Sequence, residues 1–539
     1  MAYITCADAI VKSLIAHKVD TVFGLPGAQT YELIESLRSH RDKIRFVGSR
    51  HEQGCAYMAF GYAKSTGREG VYNVVPGPGV LNTTAALCTA HNAPVLCLAG
   101  QIPSASIGAG HGALHELPDQ LGTLSTLTKW VARINHPCEV PSVISDAFKH
   151  LRSGRIQPVA VEVPADVFGA RDNVDTDFVE SSIAVMYPDK EKIKNASERI
   201  LAAKKPMIML GSGAVEAGEE VRELAKLIQA PVTSFRGGRG IVSDELPYGF
   251  SCAGGYKLWE ETDLLIGIGS RLELPTFRWQ KDKMTKDLIR IDIDPTQMTR
   301  LEADVAIVGD AKASTRELLE EVEKHIGSIP SREEKFKEVK TQVLQEIQQV
   351  QPQMAYLNVI REVLPHDGFL VEEISQVGFT AWFGFPIYEP RTLVTSGYQG
   401  NLGHGFQTGL GVKIGNPDKV VVSLAGDGGI MYGIQELASA VQHQIGLVTI
   451  IFNNNAYGNV RRDQIALFDG KDYGSELKNP DFVKLAESFG ALAYRAKTPT
   501  ELKKYLEKAL TENGPTIIEV PCERGSEISP WKFILPSGY

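Results

Sequence analysis

The sequence is short of the features that send a chain to a membrane, a nucleic acid or an oxidising compartment. No apolar run approaches the roughly 18 residues that a membrane span needs. The N-terminus, MAYITCADAIVKSLIAHKVD, has no basic stretch followed by an apolar core and a cleavage site, nor the Arg- and Ser-rich pattern of a transit peptide. Lys/Arg-rich runs and basic patches interleaved with aromatics are missing, and the net charge is -9, so nucleic acid is not expected as a partner. The seven cysteines are odd in number, scattered, and never spaced as metal pairs. They read as reduced, buried small hydrophobes, and the chain as a cytoplasmic protein.

What is present is an ordinary globular composition, 43% hydrophobic and 22% charged, in 539 residues. That length exceeds what one hydrophobic core supports, and three domains are expected. Strand-like apolar runs alternate with helical patterns from end to end: TVFGLP, VYNVV and PVLCLAG early, MIMLGSG and DLLIGIGS midway, VVVSLAGDG and LVTIIFNNN late. Such alternation predicts an α/β protein of doubly wound parallel sheets. Acidic residues around 170–190 read as a surface linker, and the charged, Gln-rich stretch 331–353 as a solvated helix or linker. The expected domains are therefore 1–170, 185–330 and 350–539.

The C-terminal third holds the most specific signal. VVVSLAGDGG is an apolar run ending in Gly426, Asp427, Gly428 and Gly429, which puts an acid at the carboxyl end of a parallel strand, where α/β sheets place ligands. A helical pattern follows, then LVTIIF returns as a strand before Asn453, Asn454 and Asn455. Asp427 and Asn454 thus emerge at one sheet edge. A carboxylate and an amide carbonyl, completed by water and substrate phosphates, are how Mg2+ is held, and glycines let backbone N–H groups approach a phosphate. Gly-Asp-Gly alone is usually a tight turn; the joint pattern is far more specific.

That joint pattern resembles the diphosphate-binding motif of thiamine diphosphate (ThDP) enzymes. The resemblance implies three domains, binding pyrimidine, a possible nucleotide and diphosphate in chain order, with Mg2+ held by Asp427, Asn454 and the carbonyl of Ala456. Tyr457 and Gly458 fall in the same cofactor-binding segment. SRHEQGCAYMAFGYAKSTGR supplies Glu52 at a helix start, where the family's glutamate hydrogen-bonds N1′ of the aminopyrimidine. Taken alone, Glu52 is a helix N-terminal acid facing the dipole. FGLPGAQTYELIESL before it and VVPGPGVLNTTAAL after it match the family in order, placing Pro26, Gln29, Pro78 and Asn82 on loops at the same edge. In TSGYQGNLGHGFQTGLGVKIG, the Gly400 carbonyl is expected to accept from the 4′-amino group, and Leu402 to be the wedge that bends the cofactor.

The likeness covers essentially the whole chain and is strongest to the acetolactate synthase, pyruvate oxidase and benzaldehyde lyase branch. It implies a 2-oxo acid decarboxylase or carboligase whose sites form between subunits, so a homodimer is the minimum active unit and a homotetramer is expected. His115 stands where those synthases usually carry glutamine, and Gln29 where benzaldehyde lyase has histidine. LELPTFRW at 272–279 and NVRRDQ at 459–464 also depart from the synthase pattern. These departures keep open a lyase that cleaves a 2-hydroxy ketone or 2-hydroxyacyl-CoA, and, more distantly, a non-catalytic relative. Gln29 and His115 are the candidate substrate contacts beside Glu52. His111, His404 and the pair Arg461 and Arg462 are weaker candidates. IMLGSGAVEAG, GIGSR and IDIDP resemble the segments that hold FAD or ADP in relatives, a weak signal.

Overall fold

The computed structural model describes residues 1–178, 182–279 and 286–538. Three six-stranded sheets, every pairing parallel, carry the chain. In the first, the strands run Arg45–Gly48, Thr21–Gly24, Gly70–Val74, Val95–Gln101, Val159–Pro164 and Trp130–Arg133 across the sheet. In the third they run Leu393–Val394, Phe369–Val371, Val421–Gly426, Val448–Asn453, Thr516–Pro521 and Leu492–Arg495. Numbered within each sheet, both follow the order 2-1-3-4-6-5, so the outer thirds share one topology. The middle sheet follows the order 3-2-1-4-5-6, that of dinucleotide-binding folds.

The strands are Val-, Ile- and Leu-rich because helices cover both faces of each sheet. Each of two stretches that read as linkers in the sequence contains a regular element. Arg171–Val174 pairs antiparallel with Ala2–Thr5. Glu333–Ile347 is a helix whose Phe336, Val339, Val343 and Ile347 are buried in the core beside the middle and C-terminal sheets. Their spacing of three to four residues is one helical stripe, hidden in the sequence by the charged residues between. Of the cysteines expected to be buried, Cys6, Cys55, Cys97 and Cys252 are, Cys88 and Cys522 are half-buried, and Cys138 is exposed. No helix among the described residues is long and apolar enough to cross a membrane.

The outer domains meet where helix Glu52–Thr66 crosses helix His404–Gly415. Glycines permit the approach: a Cβ on Gly61 would lie 2.1 Å from the Thr408 carbonyl oxygen, and one on Gly411 would lie 1.9 Å from that of Met58. Tyr57, Met58 and Phe406 are buried in the same core. Alanine for glycine inside a helix ordinarily stabilises by about 0.5–1 kcal/mol. Here Gly411→Ala is expected to destabilise instead, by about 1–3 kcal/mol through overpacking, read as a lower melting temperature by calorimetry.

Candidate functional site

The first group of residues gathers at the carboxyl edge of the N-terminal sheet. Glu52 is the first residue of its helix, behind the N-cap His51. Its Oε2 accepts from Asn82 Nδ2 at 3.0 Å, and a methyl on Gly79 would sit 3.7 Å from its Oε1. Pro78 opens the short helix that ends at Asn82. Pro26 is exposed on the loop after strand Thr21–Gly24. Gln29, on the same loop, has a left-handed backbone, as does His115, a conformation that is uncommon outside glycine. The two side chains form a unit: Gln29 Nε2 donates to the Leu114 carbonyl at 2.9 Å, and His115 Nδ1 lies 3.0 Å from Gln29 Oε1. Because that oxygen can only accept, His115 Nδ1 carries a proton, which leaves the lone pair on Nε2 in the neutral ring. The His115 backbone packs on Gly77, beside Pro78.

The second group gathers at the carboxyl edge of the C-terminal sheet. Asp427 follows strand Val421–Gly426 and is buried; its Oδ2 accepts from Asn479 Nδ2 at 2.7 Å. Burial pushes this carboxyl up, against the pull of the Asn479 amide and the N–H groups of Gly428 and Ala456. Asn454 Oδ1 accepts from the Ala456 N–H at 3.0 Å while its Nδ2 donates to Glu527 Oε2 at 2.8 Å. Tyr457 is the N-cap of helix Gly458–Leu467, and a Cβ on Gly428 would strike its ring at 2.5 Å. Carboxylate, amide oxygen and backbone carbonyl are the hard donors that suit Mg2+, so this donor set fits the cation that the sequence implies.

Between the groups lies the glycine loop. Gly397, Gly400 and Gly403 all have positive φ; Gly400 is exposed and Leu402 half-buried. The loop hangs on Glu373, whose Oε1 accepts from the Gly403 N–H at 2.8 Å and whose Oε2 accepts from the Gly405 N–H at 2.9 Å. Burial pushes the Glu373 carboxyl up to about 7. Its neighbour Glu372 is also fully buried, and burial with the nearby Glu373 charge pushes it up to about 8. His404 Nε2 lies 3.9 Å from Glu372 Oε1, and burial pushes His404 down to about 3. Burial thus favours the neutral form of both groups, and His404 sits under the loop as a packed ring. Among the other candidates, His111 is exposed, and Arg461 Nε lies 3.0 Å from Asp472 Oδ2. Leu274–Arg278 forms a π-helical turn, and Trp279 after it is buried.

A cavity of about 530 Å³ opens at the edge of the middle sheet. It lies where the strand order reverses, after Pro206–Leu210 and Leu264–Ile268, the position at which open α/β sheets bind ligands. Gly211 and Gly269 turn against each other, since a Cβ on Gly211 would lie 2.2 Å from the Gly269 oxygen. Arg155, Arg236 and Arg271 reach the cavity from different parts of the chain. Arg236 Nη1 also donates to the Gly397 carbonyl at 2.5 Å, linking the cavity wall to the glycine loop.

Four residues important to this geometry have no motif in the sequence. Asn479 and Glu527 hold the Asp427 and Asn454 side chains. Glu373 holds the loop. Glu436 reaches across domains, its carboxylate accepting from the Arg50 N–H at 3.0 Å and the His51 N–H at 2.9 Å, just ahead of Glu52. The Glu372 carboxyl generates a pH prediction. Its folded pKa lies above its ordinary value of 4.5, so its contribution to stability is present below pH 4.5 and lost as the pH rises through about 8. Glu372→Gln lacks this loss, and its melting temperature relative to the unmodified protein is expected to rise between pH 5 and 8 in a calorimetric series.

Comparison with known proteins matches three family models along the chain: the thiamine pyrophosphate enzyme N-terminal TPP binding domain over residues 4–123, the central domain over 193–318, and the C-terminal TPP binding domain over 373–520. A probable 2-ketoarginine decarboxylase of Pseudomonas aeruginosa is 33% identical, covering 96% of this chain and 94% of its own. A probable acetolactate synthase large subunit of Methanococcus aeolicus is 30% identical over 97% of this chain and 93% of its own. Acetolactate synthase isozyme 3 large subunit of Escherichia coli is 28% identical over 99% and 97%. With Glu52, Asp427 and Asn454 standing at the edges of two sheets of identical topology, the chain belongs to the thiamine pyrophosphate enzymes, as an acetolactate synthase-like member with decarboxylase or carboligase activity.

Proposed function

We propose that the protein is a ThDP- and Mg2+-dependent enzyme that decarboxylates a small 2-oxo acid and joins the product to a second carbonyl compound, in the cytoplasm. The reading rests on one observation above all: buried Asp427 and Asn454, whose Oδ1 accepts from the Ala456 N–H, follow two neighbouring parallel strands, a carboxylate, amide and backbone-carbonyl set suited to a hard cation. In this reading Asp427, Asn454 and the Ala456 carbonyl hold Mg2+, and Gly426, Gly428, Gly429, Tyr457 and Gly458 line the diphosphate site. Pro26, Pro78 and Asn82 belong to the pyrimidine site, in domains bounded near 170–185 and 330–350. When bound, ThDP supplies an electron sink beside the substrate carbonyl.

The chain's own groups do the rest. Glu52, steadied on Oε2 by Asn82, would hold or release a proton at its other carboxylate oxygen toward the aminopyrimidine when ThDP is bound. The Gly400 carbonyl would accept from the amino group of the bound cofactor, and Leu402 would pack against it. Glu373 keeps both in place through the Gly403 and Gly405 N–H groups. His115 Nε2, freed by the Gln29 bond to Nδ1, orients a substrate hydroxyl or takes its proton.

By resemblance to its family, the site would be completed by a second copy of the chain. A homodimer is then the minimum active unit, and a homotetramer the expected assembly. Arg155, Arg236 and Arg271 at the central cavity suit the diphosphate of FAD or ADP. The Gln29–His115 pair favours a second reading, ThDP-dependent cleavage of a 2-hydroxy ketone or 2-hydroxyacyl-CoA, because a base facing a hydroxyl is what retro-addition needs. The intact Glu52, Asp427 and Asn454 weigh against a non-catalytic relative.

A proton NMR time course of the protein with ThDP, Mg2+ and pyruvate, with and without an added aldehyde, tests the reading. Acetolactate, acetoin or a mixed 2-hydroxy ketone is expected; unchanged pyruvate with ThDP bound turns the assignment to the lyase. Glu52→Gln is expected to lower turnover by about 100-fold or more with the melting temperature unchanged, and near-normal turnover would sink the role given to Glu52.

A further inference from the structure

The chain after the last strand, Thr516–Pro521, runs back over the diphosphate half of the candidate site. Three side chains of this strap grip the segment that follows strand Val448–Asn453. Arg524 Nη2 donates to the Asn455 carbonyl at 2.9 Å. Glu527 Oε2 accepts from Asn454 Nδ2 at 2.8 Å. Trp531 Nε1 donates to Asn459 Oδ1 at 2.9 Å, and its ring packs on Phe379. The strap is itself tied down: the Ile528 N–H donates to the Gln351 carbonyl at 2.9 Å, and Gln353 Nε2 donates to the Ile528 carbonyl at 2.6 Å. It is a fixed wall of the site.

Within this wall Glu527 has a specific geometric effect. Asn454 can present either its oxygen or its NH2 group to a cation, and only the oxygen binds one. Two bonds decide between them: the Ala456 N–H takes Oδ1, and the Glu527 carboxylate takes Nδ2 on the opposite side. A carboxylate offers only acceptors, so it rejects the flipped amide. We infer that Glu527 is the positioning residue of the cation site, a side chain brought by the C-terminal strap that locks the Asn454 amide with its oxygen toward the metal. The inference rests on the assignment of Asp427, Asn454 and Ala456 as the Mg2+ ligands. Groups that orient metal ligands commonly matter to affinity by about 10- to 100-fold.

Two substitutions separate orientation from charge. Glu527→Gln removes the charge but, with the Ala456 N–H still holding Asn454 Oδ1, can turn its own oxygen to accept from Asn454 Nδ2. Glu527→Asp keeps the charge but withdraws it by one methylene, out of reach. Full-length protein is titrated with MgCl2 at fixed ThDP, and cofactor uptake is followed by calorimetry and tryptophan fluorescence, with a melting curve for each variant. Glu527→Asp is expected to need about 10- to 100-fold more Mg2+ for half-saturation, with its melting temperature unchanged, while Glu527→Gln stays close to the unmodified protein. Glu527→Asp titrating like the unmodified protein, or Glu527→Gln weakening as much as Glu527→Asp, overturns the inference and leaves the cofactor assignment standing. Unmodified protein that takes up no ThDP with Mg2+ refutes the cofactor assignment and this inference with it.

Discussion

The crossing of helices Glu52–Thr66 and His404–Gly415 is the contact on which the arrangement depends. Each helix begins at a part of the candidate site: one opens with Glu52, the other follows the glycine loop that carries Gly400 and Leu402. Glycine at 61 and 411 brings the two backbones together closely enough for carbonyl oxygens to meet α-carbons. At that distance the relative placement of the two outer domains is set by steric contact, which permits little adjustment.

Each candidate ligand site then follows from sheet topology. The outer sheets reverse their strand order between the first and third strands, and the middle one between the first and fourth. At a reversal the flanking connections leave in opposite directions and open a crevice at the carboxyl ends. The loop with Gln29, the turn at Pro78, the Asp427 turn and the Gly211 and Gly269 turns all lie at such ends. Two copies of one topology provide the two groups of candidate residues, and a third sheet of dinucleotide-binding order provides the central cavity.

Buried or half-buried acids do much of the positioning. Glu436 fixes the backbone ahead of Glu52, Glu373 the loop that bears Gly400, and Glu527 the amide of Asn454. Each accepts from N–H groups, and burying a carboxyl without such donors is costly. Glu372 lies at the limit of this economy, fully buried and held largely neutral beside His404.

The sequence by itself determined the parallel α/β architecture, the positions of Glu52, Asp427 and Asn454 at strand or helix ends, and the glycine loop. Strand periodicity, helix starts and turn residues are local signals, written within a few residues of the structure they encode. Even local signals failed where charge masked an apolar stripe, as at Phe336, Val339 and Val343. Tertiary structure alone decided that His115 pairs with Gln29 from 86 residues away, that Glu436 holds a backbone 385 residues distant, and that Glu527 faces Asn454. An acid or amide in a solvated-looking stretch has the same local pattern whether it meets water or a ligand-bearing side chain. Only packing brings that partner within hydrogen-bond reach.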